Sequence, residues 1–377
     1  MNRIDILAFI PDSIDTEIFI EDAISYSNNS IILLFDNENI KVGYKSPNVN
    51  FGKTIFKHYK YKKQSSNYLI MFLNFLSFCL LFTRLLTVIC WKYRPKVCWI
   101  GNTHAATVVG ILRKLNLTNK SIYVPGDWLA SSRHKKFLSY IGSNLIFTIC
   151  DYLACKFNDV VLNHTEQIAA ARYKFWGRKI AKKEKLYLLN LKIKAKSNIE
   201  KKINNICFIG NLREDSGLAI IVKALSEIRK FQDIGLKIIG PKNHRSEDIR
   251  QLSIRYSVDQ YVKILDFVET EQLAEILSDC FCGINLITST NSYSSYTIPA
   301  KIINYLQHLL PVIVTEGVGP LASIIRDNKL GLVIEPSQEA FINSVFKIYN
   351  ENKQYRKNIV CYINSLPKTN IKELIEG

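Results

Sequence analysis

YTIPAKIINYLQHLLPVIVTEGVGPLASIIRDNKLGLVIE, residues 296–335, is the stretch that decides the fold. Thr297 is a natural helix N-cap, and Pro299 in the first turn has no amide hydrogen to leave unpaired. The helix that they start leads into an apolar strand at 312–315, and a second helix and a strand at 331–334 follow. Strands that alternate with helices in this way predict a parallel sheet covered by helices.

The same alternation extends over the whole chain. In the first half, apolar segments of strand length lie at 4–10, 31–35, 97–100, 121–124, 160–162 and 187–191. In the second half they lie at 206–209, 236–239, 262–265, 282–286, 312–315 and 331–334. Since a chain of 377 residues exceeds what one core usually serves, the two series predict an α/β fold with two doubly wound Rossmann-like domains facing a cleft.

The polar, lysine-rich segment KIKAKSNIEKKINN, residues 192–205, separates the two series and is typical of a hinge. We therefore predict a first domain over residues 1–195 and a second domain over residues 203–345. Residues 346–377 are predicted to form a helical segment that packs back toward the first domain.

Positive charge is concentrated in the first half of the chain. The net charge is +17, and residues 1–200 hold 29 Lys and Arg against 14 Asp and Glu. Residues 41–150 hold 17 basic residues and one acid, Asp127. Such a surface attracts polyanions, either anionic lipid or a phosphorylated substrate. A nucleic-acid-binding protein is the rival class, but the basic stretch carries no nucleic-acid motif, and we predict no nucleic-acid partner.

An apolar segment at residues 68–91 is predicted to form a helix that is buried, interfacial or membrane-spanning. Arg84 inside it and the lysines before it favour a buried or interfacial helix, which Trp91 would help to dock on anionic lipid. The N-terminal residues lack the features of a signal peptide, and the nine cysteines are typical of free thiols in a reducing compartment. These features predict a cytoplasmic protein peripherally associated with an anionic inner-membrane surface.

Candidate ligand-binding residues follow the strands of the second domain. Gly210 and Asn211 come directly after the strand at 206–209, where backbone amides can approach a phosphate, and Arg213 adds a forked donor. The structural alternative is a glycine that only makes the turn between a strand and a helix. This loop therefore predicts a phosphate site.

The helix that starts at Thr297 supplies a second set of candidates. Lys301 and Tyr305 lie four residues apart and share one helix face, while Ile302 faces the sheet. A lysine in the first turn opposes the helix dipole, a cost that a bound anion would relieve; the alternative is a solvated lysine. Glu316 ends the next strand and is predicted to bind sugar or ribose hydroxyls or to cap the following helix.

The first domain offers two candidates for a general base, and both follow predicted strands. Asp127 follows the strand at 121–124, and His104 follows the strand at 97–100. Because Asp127 is the one acidic residue among many lysines and arginines, we rank it first. Its carboxylate would accept a proton as a general base or bind the acceptor substrate.

In these motifs the chain resembles GT-B glycosyltransferases of the family 4 type and divergent relatives that assemble bacterial surface polysaccharides, including galactofuranosyl- and glucosyltransferases. The resemblance is specific over residues 203–336, from FIGNLREDSGL through PAKIINYLQHLLPV. It departs from the family at Ser216, where a diphosphate-binding lysine is common. It also departs at Tyr296 and Asn304, where the family has two glutamates eight positions apart.

The resemblance implies a glycosyltransferase that moves a sugar from a nucleoside diphosphate, UDP or GDP, to a lipid-linked or glycan acceptor. The product would belong to bacterial lipopolysaccharide, O-antigen or capsule, and neither a metal nor another cofactor is implied. The same resemblance places Phe267 against the nucleotide base and Asn304 in the donor site. Two alternatives stay open: a catalytically inactive scaffold of a polysaccharide-assembly complex, and a nucleotide-sugar epimerase.

Overall fold

A computed structural model describes residues 5–11, 30–35, 39–45, 57–60, 68–125, 145–163, 165–176, 184–186, 193, 204–241, 244–266, 268, 270–288, 299–366 and 373. The chain divides into two compact units. The first is Met1–Asn190 with Lys368–Gly377, and the second is Leu191–Pro367.

The first unit is built on an eight-stranded sheet. Its elements are β1 (Ile6–Pro11), β2 (Ser30–Phe35), β3 (Asn39–Lys45), β4 (Lys57–Lys60), α1 (Tyr68–Tyr93), β5 (Val97–Ile100), α2 (Thr103–Lys114), β6 (Lys120–Tyr123), α3 (Ile146–Phe157), β7 (Val160–Asn163), α4 (Glu166–Trp176) and β8 (Glu184–Leu186). The strand order is β4-β3-β2-β1-β5-β6-β7-β8. β3 pairs antiparallel with both of its neighbours, and the other pairs are parallel.

The second unit has a six-stranded, all-parallel sheet. Its elements are β9 (Asn205–Ile209), α5 (Leu218–Ile228), β10 (Gly235–Ile239), α6 (His244–Arg255), β11 (Val262–Leu265), α7 (Thr270–Leu277), β12 (Cys280–Asn285), α8 (Ala300–Gln307), β13 (Val312–Val314), α9 (Pro320–Asp327), β14 (Gly331–Val333) and α10 (Gln338–Ser365). The strand order β11-β10-β9-β12-β13-β14 reverses between β9 and β12. In such sheets, ligands bind at the carboxyl ends of the two strands where the order reverses, here called the switch point.

The predicted fold class, with two doubly wound α/β domains, is confirmed by these sheets. One detail differs. The hairpin of β3 and β4 was not predicted, although apolar residues alternate with lysine or glycine over residues 40–45, which is the period of a half-buried strand. The last strand described in the first unit is Glu184–Leu186, and the predicted segment at 187–191 lies outside the described residues.

Helix α10 overlaps the predicted C-terminal segment at 346–377. The helix spans Gln338–Ser365 with a kink at Glu351 (φ −101°, ψ 15°), and before the kink Phe341 and Ile348 are buried in the core of the second unit. Further along, Ile359 and Ile363 are buried on the other side of the same sheet. The apolar stripe of this helix therefore extends the second unit to residue 367, while residues 368–377 group with the first.

No helix among the described residues has the length and apolar character needed to cross a membrane. Helix α1, which covers the predicted apolar segment, instead packs Phe82 and Leu86 into the core of the first unit. Phe82 meets Phe9 of β1 edge to face, with ring centroids 4.6 Å apart.

A buried network of charged and polar groups lies at the carboxyl ends of β6 and β7. Asp151 and Arg172 are fully buried, and the guanidinium donates to both carboxylate oxygens, at 3.3 and 3.2 Å. The Tyr123 hydroxyl donates to the same carboxylate at 2.8 Å, and Arg172 also donates to Asn163. Because each charge is paired and hydrogen-bonded, the low dielectric of the protein interior strengthens these contacts. Removal of one partner would leave an unpaired buried charge and destabilise the folded state. The network therefore fixes the geometry of this strand edge.

Tyr305 of α8 holds the two strands of the switch point together. Its side chain is fully buried, and its hydroxyl accepts from the Ile209 amide of β9 at 2.7 Å and donates to the Ile284 carbonyl of β12 at 3.1 Å. The ring fits over Gly283, where a Cβ would lie 2.3 Å from a ring carbon. The predicted division of the helix faces is thus wrong for Tyr305, because its ring packs onto the sheet as Ile302 does.

We predict that Gly283→Ala destabilises the protein by about 1–3 kcal/mol, because the added methyl must displace the Tyr305 ring or the strand. The free energy of unfolding from urea denaturation measures the effect. In a Tyr305→Ala background the same methyl should cost less, since the ring is gone. An equal cost in both backgrounds would contradict the close packing of the ring on Gly283.

Candidate functional site

Three loops meet at the switch point of the second unit. They follow β9, β12 and β13 at residues 210–217, 286–288 and 315–319. The Thr288 amide donates to the Asp215 carbonyl at 3.0 Å, which joins the first two loops. The hydroxyl of Thr315 accepts from the Ile287 amide and donates to its carbonyl, both at 2.9 Å, which joins the second to the third. The carboxyl edge of the sheet is therefore held by direct hydrogen bonds between loops.

Helix α8 begins at this edge and carries Lys301 to the end of β9. The helix starts at Ala300 with Pro299 at the N-cap position, so it begins later than predicted, and Thr297 lies outside the described residues. The Lys301 ammonium lies 3.1 Å from where a Cβ at position 210 would be and 4.5 Å from the Phe208 ring centroid. Gly210 has φ +128°, a conformation that L side chains rarely adopt, and its bare backbone leaves room for the ammonium.

Burial first, and then the positive charge of Arg213, lower the pKa of Lys301 to about 8, against the opposing effect of Asp215. Arg213 is mostly exposed and donates two hydrogen bonds to the Asp215 carboxylate, at 2.9 and 2.7 Å. A guanidinium in a surface pair of this kind can exchange partners at small cost. Lys301 is thus a desolvated cation at the switch point, and Arg213 is a second cation beside it.

The other predicted residues of this site fall into different environments. Ile302 and Tyr305 are fully buried and pack the helix onto the sheet, and Asn304 is almost fully buried. Asn211 is exposed on the first loop, beside Gly210. Glu316 is exposed and pairs with Arg326 of α9, and the N-cap position of that helix is Gly319, which has no side chain to cap it. Phe267 lies outside the described residues.

Asn285 was not predicted and is the last residue of β12, at the switch point itself. Its side chain is only 3% exposed, and its Nδ2 finds no hydrogen-bond acceptor among the described residues. Sequence reasoning had little signal for this residue, because a single asparagine at the end of an apolar strand is usually part of a turn.

In the first unit, His104 lies in the first turn of α2, at the carboxyl end of β5. Its Nδ1 lies 3.1 Å from the Cys150 sulfur, and burial lowers its pKa to about 4. The imidazole is therefore neutral near pH 7 and has proton-accepting capacity. Asp127, the first-ranked base, lies outside the described residues.

Comparison with known families places these features in a context. Residues 190–365 match the family described as Glycosyl transferases group 1. The matched range coincides with the second unit, Leu191–Pro367, and includes all three loops of the switch point. A comparison with curated proteins gives no significant match.

Solved structures resemble both units. HepE of Anabaena in complex with UDP is 15% identical, with 98% of each chain covered and a TM-score of 0.67. Sucrose-phosphate synthase of Thermosynechococcus elongatus is 15% identical, with 98% of this chain and 96% of that chain covered and a TM-score of 0.66. The lipopolysaccharide outer core galactosyltransferase WaaB is 15% identical, with 94% of each chain covered and a TM-score of 0.55. These likenesses show that the chain has the GT-B fold, and the family match shows that its second unit is a group 1 glycosyltransferase domain.

Proposed function

We propose that the protein transfers a sugar from UDP or a related nucleoside diphosphate to a lipid-linked or glycan acceptor in the assembly of a bacterial surface polysaccharide. The observation that carries the proposal is the Lys301 ammonium at the end of β9, against Gly210. Two relatives in fold support the choice of substrates. HepE has been solved with UDP, with UDP and glucose, and with UDP-glucose, and WaaB is a lipopolysaccharide galactosyltransferase.

The chemistry of the leaving group fits the charges of the switch point. Cleavage of the bond between the sugar and the diphosphate leaves added negative charge on the diphosphate, which fixed positive charge stabilises in the transition state. In this proposal the Lys301 ammonium and the amides of the first turn of α8 meet the diphosphate, and Arg213 turns from Asp215 toward it. These groups supply the charge stabilisation without a metal.

The acceptor hydroxyl needs a proton acceptor or an orienting group in the first unit. We assign this role to Asp127 and keep His104, which burial holds neutral, as the alternative. Asp127→Asn should retain UDP binding and lose at least about a hundredfold in transfer, the usual size of a general-base contribution. UDP release with a bacterial lipid extract as acceptor measures transfer, with His104→Gln as the control. Full activity of Asp127→Asn with loss in His104→Gln would reverse the assignment.

Nucleotide binding tests the proposal most directly. UDP, GDP, CDP and dTDP are screened by thermal shift, and one of them should raise the Tm by mass action. Lys301→Met should remove most of the shift, whereas Lys223→Met, a change at an exposed lysine of α5, should retain it. The absence of a shift with every nucleotide, in folded wild-type protein, would contradict the proposed donor site.

The same binding should depend on pH with a defined sign. The pKa of Lys301 is about 8 in the free protein, and a bound diphosphate raises it by favouring the ammonium. Affinity is therefore highest below pH 8 and falls above it, by up to about tenfold per pH unit while one proton is taken up on binding. Arg213→Gln should move the fall to higher pH, because that charge lowers the pKa of Lys301. A flat profile from pH 7 to 9.5 would contradict the role of Lys301.

The acceptor's location in a membrane is proposed from the surface of the first unit. One face of α1 exposes Leu80, Arg84, Val88 and Trp91, spaced at helical intervals, with Leu80 72% and Trp91 63% exposed. The Arg94 guanidinium lies 5.5 Å from the Trp91 ring centroid. Exposed apolar groups interspersed with cations match the interface of an anionic bilayer, and we propose that this face docks there.

Vesicle flotation tests this docking. The protein should float with vesicles of phosphatidylglycerol and phosphatidylethanolamine and be largely released at 0.5 M salt, where charges are screened within about 4 Å. Leu80→Glu with Trp91→Glu should abolish flotation. The matched control is Phe231→Glu, which changes an equally exposed aromatic residue of the second unit (73% exposed) and should have no effect. Equal binding of the two variants would contradict docking through α1.

A further inference from the structure

Asn285 combines two properties that conflict in a purely structural residue. It is almost fully buried at the end of β12, yet its Nδ2 has no acceptor among the described residues. A buried donor without a partner destabilises the folded state, since it has lost water and gained nothing. An asparagine kept for packing alone would serve less well here than an apolar residue of the same size.

The pleat of β12 fixes the side of the sheet on which Asn285 lies. Gly283 lies against the Tyr305 ring of α8, so residue 283 faces the side of the sheet that α8 covers. Side chains two residues apart on a strand point to the same face, so Asn285 lies on the α8 side too, about 7 Å nearer the carboxyl edge. Lys301 precedes Tyr305 by one helical turn and is displaced toward the same edge. The Asn285 side chain therefore lies on the α8 side of the sheet, and α8 brings the Lys301 ammonium to the same carboxyl edge, at Gly210.

The backbone groups next to Asn285 are held by hydrogen bonds to other residues. Ile287, two residues beyond Asn285, is held through its amide and its carbonyl by Thr315. On the other side, the Ile209 amide is already engaged by Tyr305. These backbone groups of Ile287 and Ile209 therefore have their own partners. The Nδ2 donor of Asn285 remains available to a ligand that enters from the carboxyl edge.

We propose that Asn285 is a binding residue of the donor site and that its Nδ2 donates a hydrogen bond to an oxygen of the diphosphate. A phosphate oxygen is a strong acceptor, and a neutral amide adds a contact to it without adding charge beside Lys301 and Arg213. The inference rests on the proposed function, because it deepens the same nucleotide-sugar site. It assigns a direct contact to a residue outside the loops from which the site was predicted.

Asn285→Leu, an apolar change of similar size, separates a binding role from a structural one. In the nucleotide-free variant the Tm should equal or exceed that of the wild type, because the Asn285 amide group donates no hydrogen bond within the described part of the chain. The Kd for UDP, from titration calorimetry, should rise about tenfold, the loss of one good hydrogen bond to a charged group. The Kd for uridine, from competition by NMR, should stay unchanged. Asn285→Asp, which puts a carboxylate beside the phosphates, should weaken UDP binding more than Asn285→Leu does.

Gln307→Met is the matched control. Gln307 is 1% exposed in the same unit, and its Oε1 also has no hydrogen-bond partner among the described residues. It ends α8, far from the carboxyl edge, so its change should leave UDP affinity unaltered.

Three results would overturn the inference. They are a lowered Tm with unchanged UDP affinity in Asn285→Leu, an equal loss for uridine and UDP, and a loss seen only with the intact nucleotide sugar. Failure of the wild type to bind any nucleotide would instead contradict the proposed function itself, so the two failures are distinguishable.

Discussion

The Tyr305 hydroxyl, which joins the Ile209 amide to the Ile284 carbonyl, is the contact on which the switch point depends. Strands β9 and β12 pair directly in the sheet although two β-α units separate them in sequence, and the hydroxyl adds a side-chain link at their carboxyl edge. Because the ring lies on Gly283, α8 approaches the sheet closely and its first turn comes to the end of β9. Because Tyr305 fixes α8 against the sheet, Lys301, one turn earlier, is held at the end of β9, where it can meet a ligand.

The two units use charge in different ways at their strand ends. In the first unit, Asp151 and Arg172 are fully buried and satisfy each other, so their charges serve geometry. In the second unit, burial is the main cause that lowers the pKa of Lys301 to about 8, with the like charge of Arg213 adding to it and the opposing charge of Asp215 acting against it. A lowered lysine pKa marks a cation that the protein alone stabilises poorly, which is typical of groups that meet a ligand. The Asn285 side-chain amide is a neutral group in the same situation, since the described residues provide no acceptor for its Nδ2.

Part of the site was predictable, and the rest depended on packing. Lys301 was found because a lysine in a first helical turn conflicts with the helix dipole, a rule that needs only sequence spacing. The same spacing misplaced Tyr305, since a period of 3.6 residues does not say how wide the buried face of a helix is. The missing side chain of Gly283 on β12 leaves room for the Tyr305 ring, so the buried face of α8 includes this residue. Asp151 and Arg172 escaped prediction because charged residues are rarely fully buried, and only their mutual pairing allows it.

The sequence by itself determined the α/β class, the two series of strands, the family of the second unit and the concentration of positive charge in the first 200 residues. Local hydrophobic period, helix-start residues and composition carry this information, and each acts over a few neighbouring residues. Only the tertiary structure decided which strands adjoin, that α10 completes the second unit, that Lys301 reaches Gly210 and that the Asn285 amide has no partner among the described residues. These facts depend on contacts between residues far apart in the chain, whose burial and pairing no local pattern encodes.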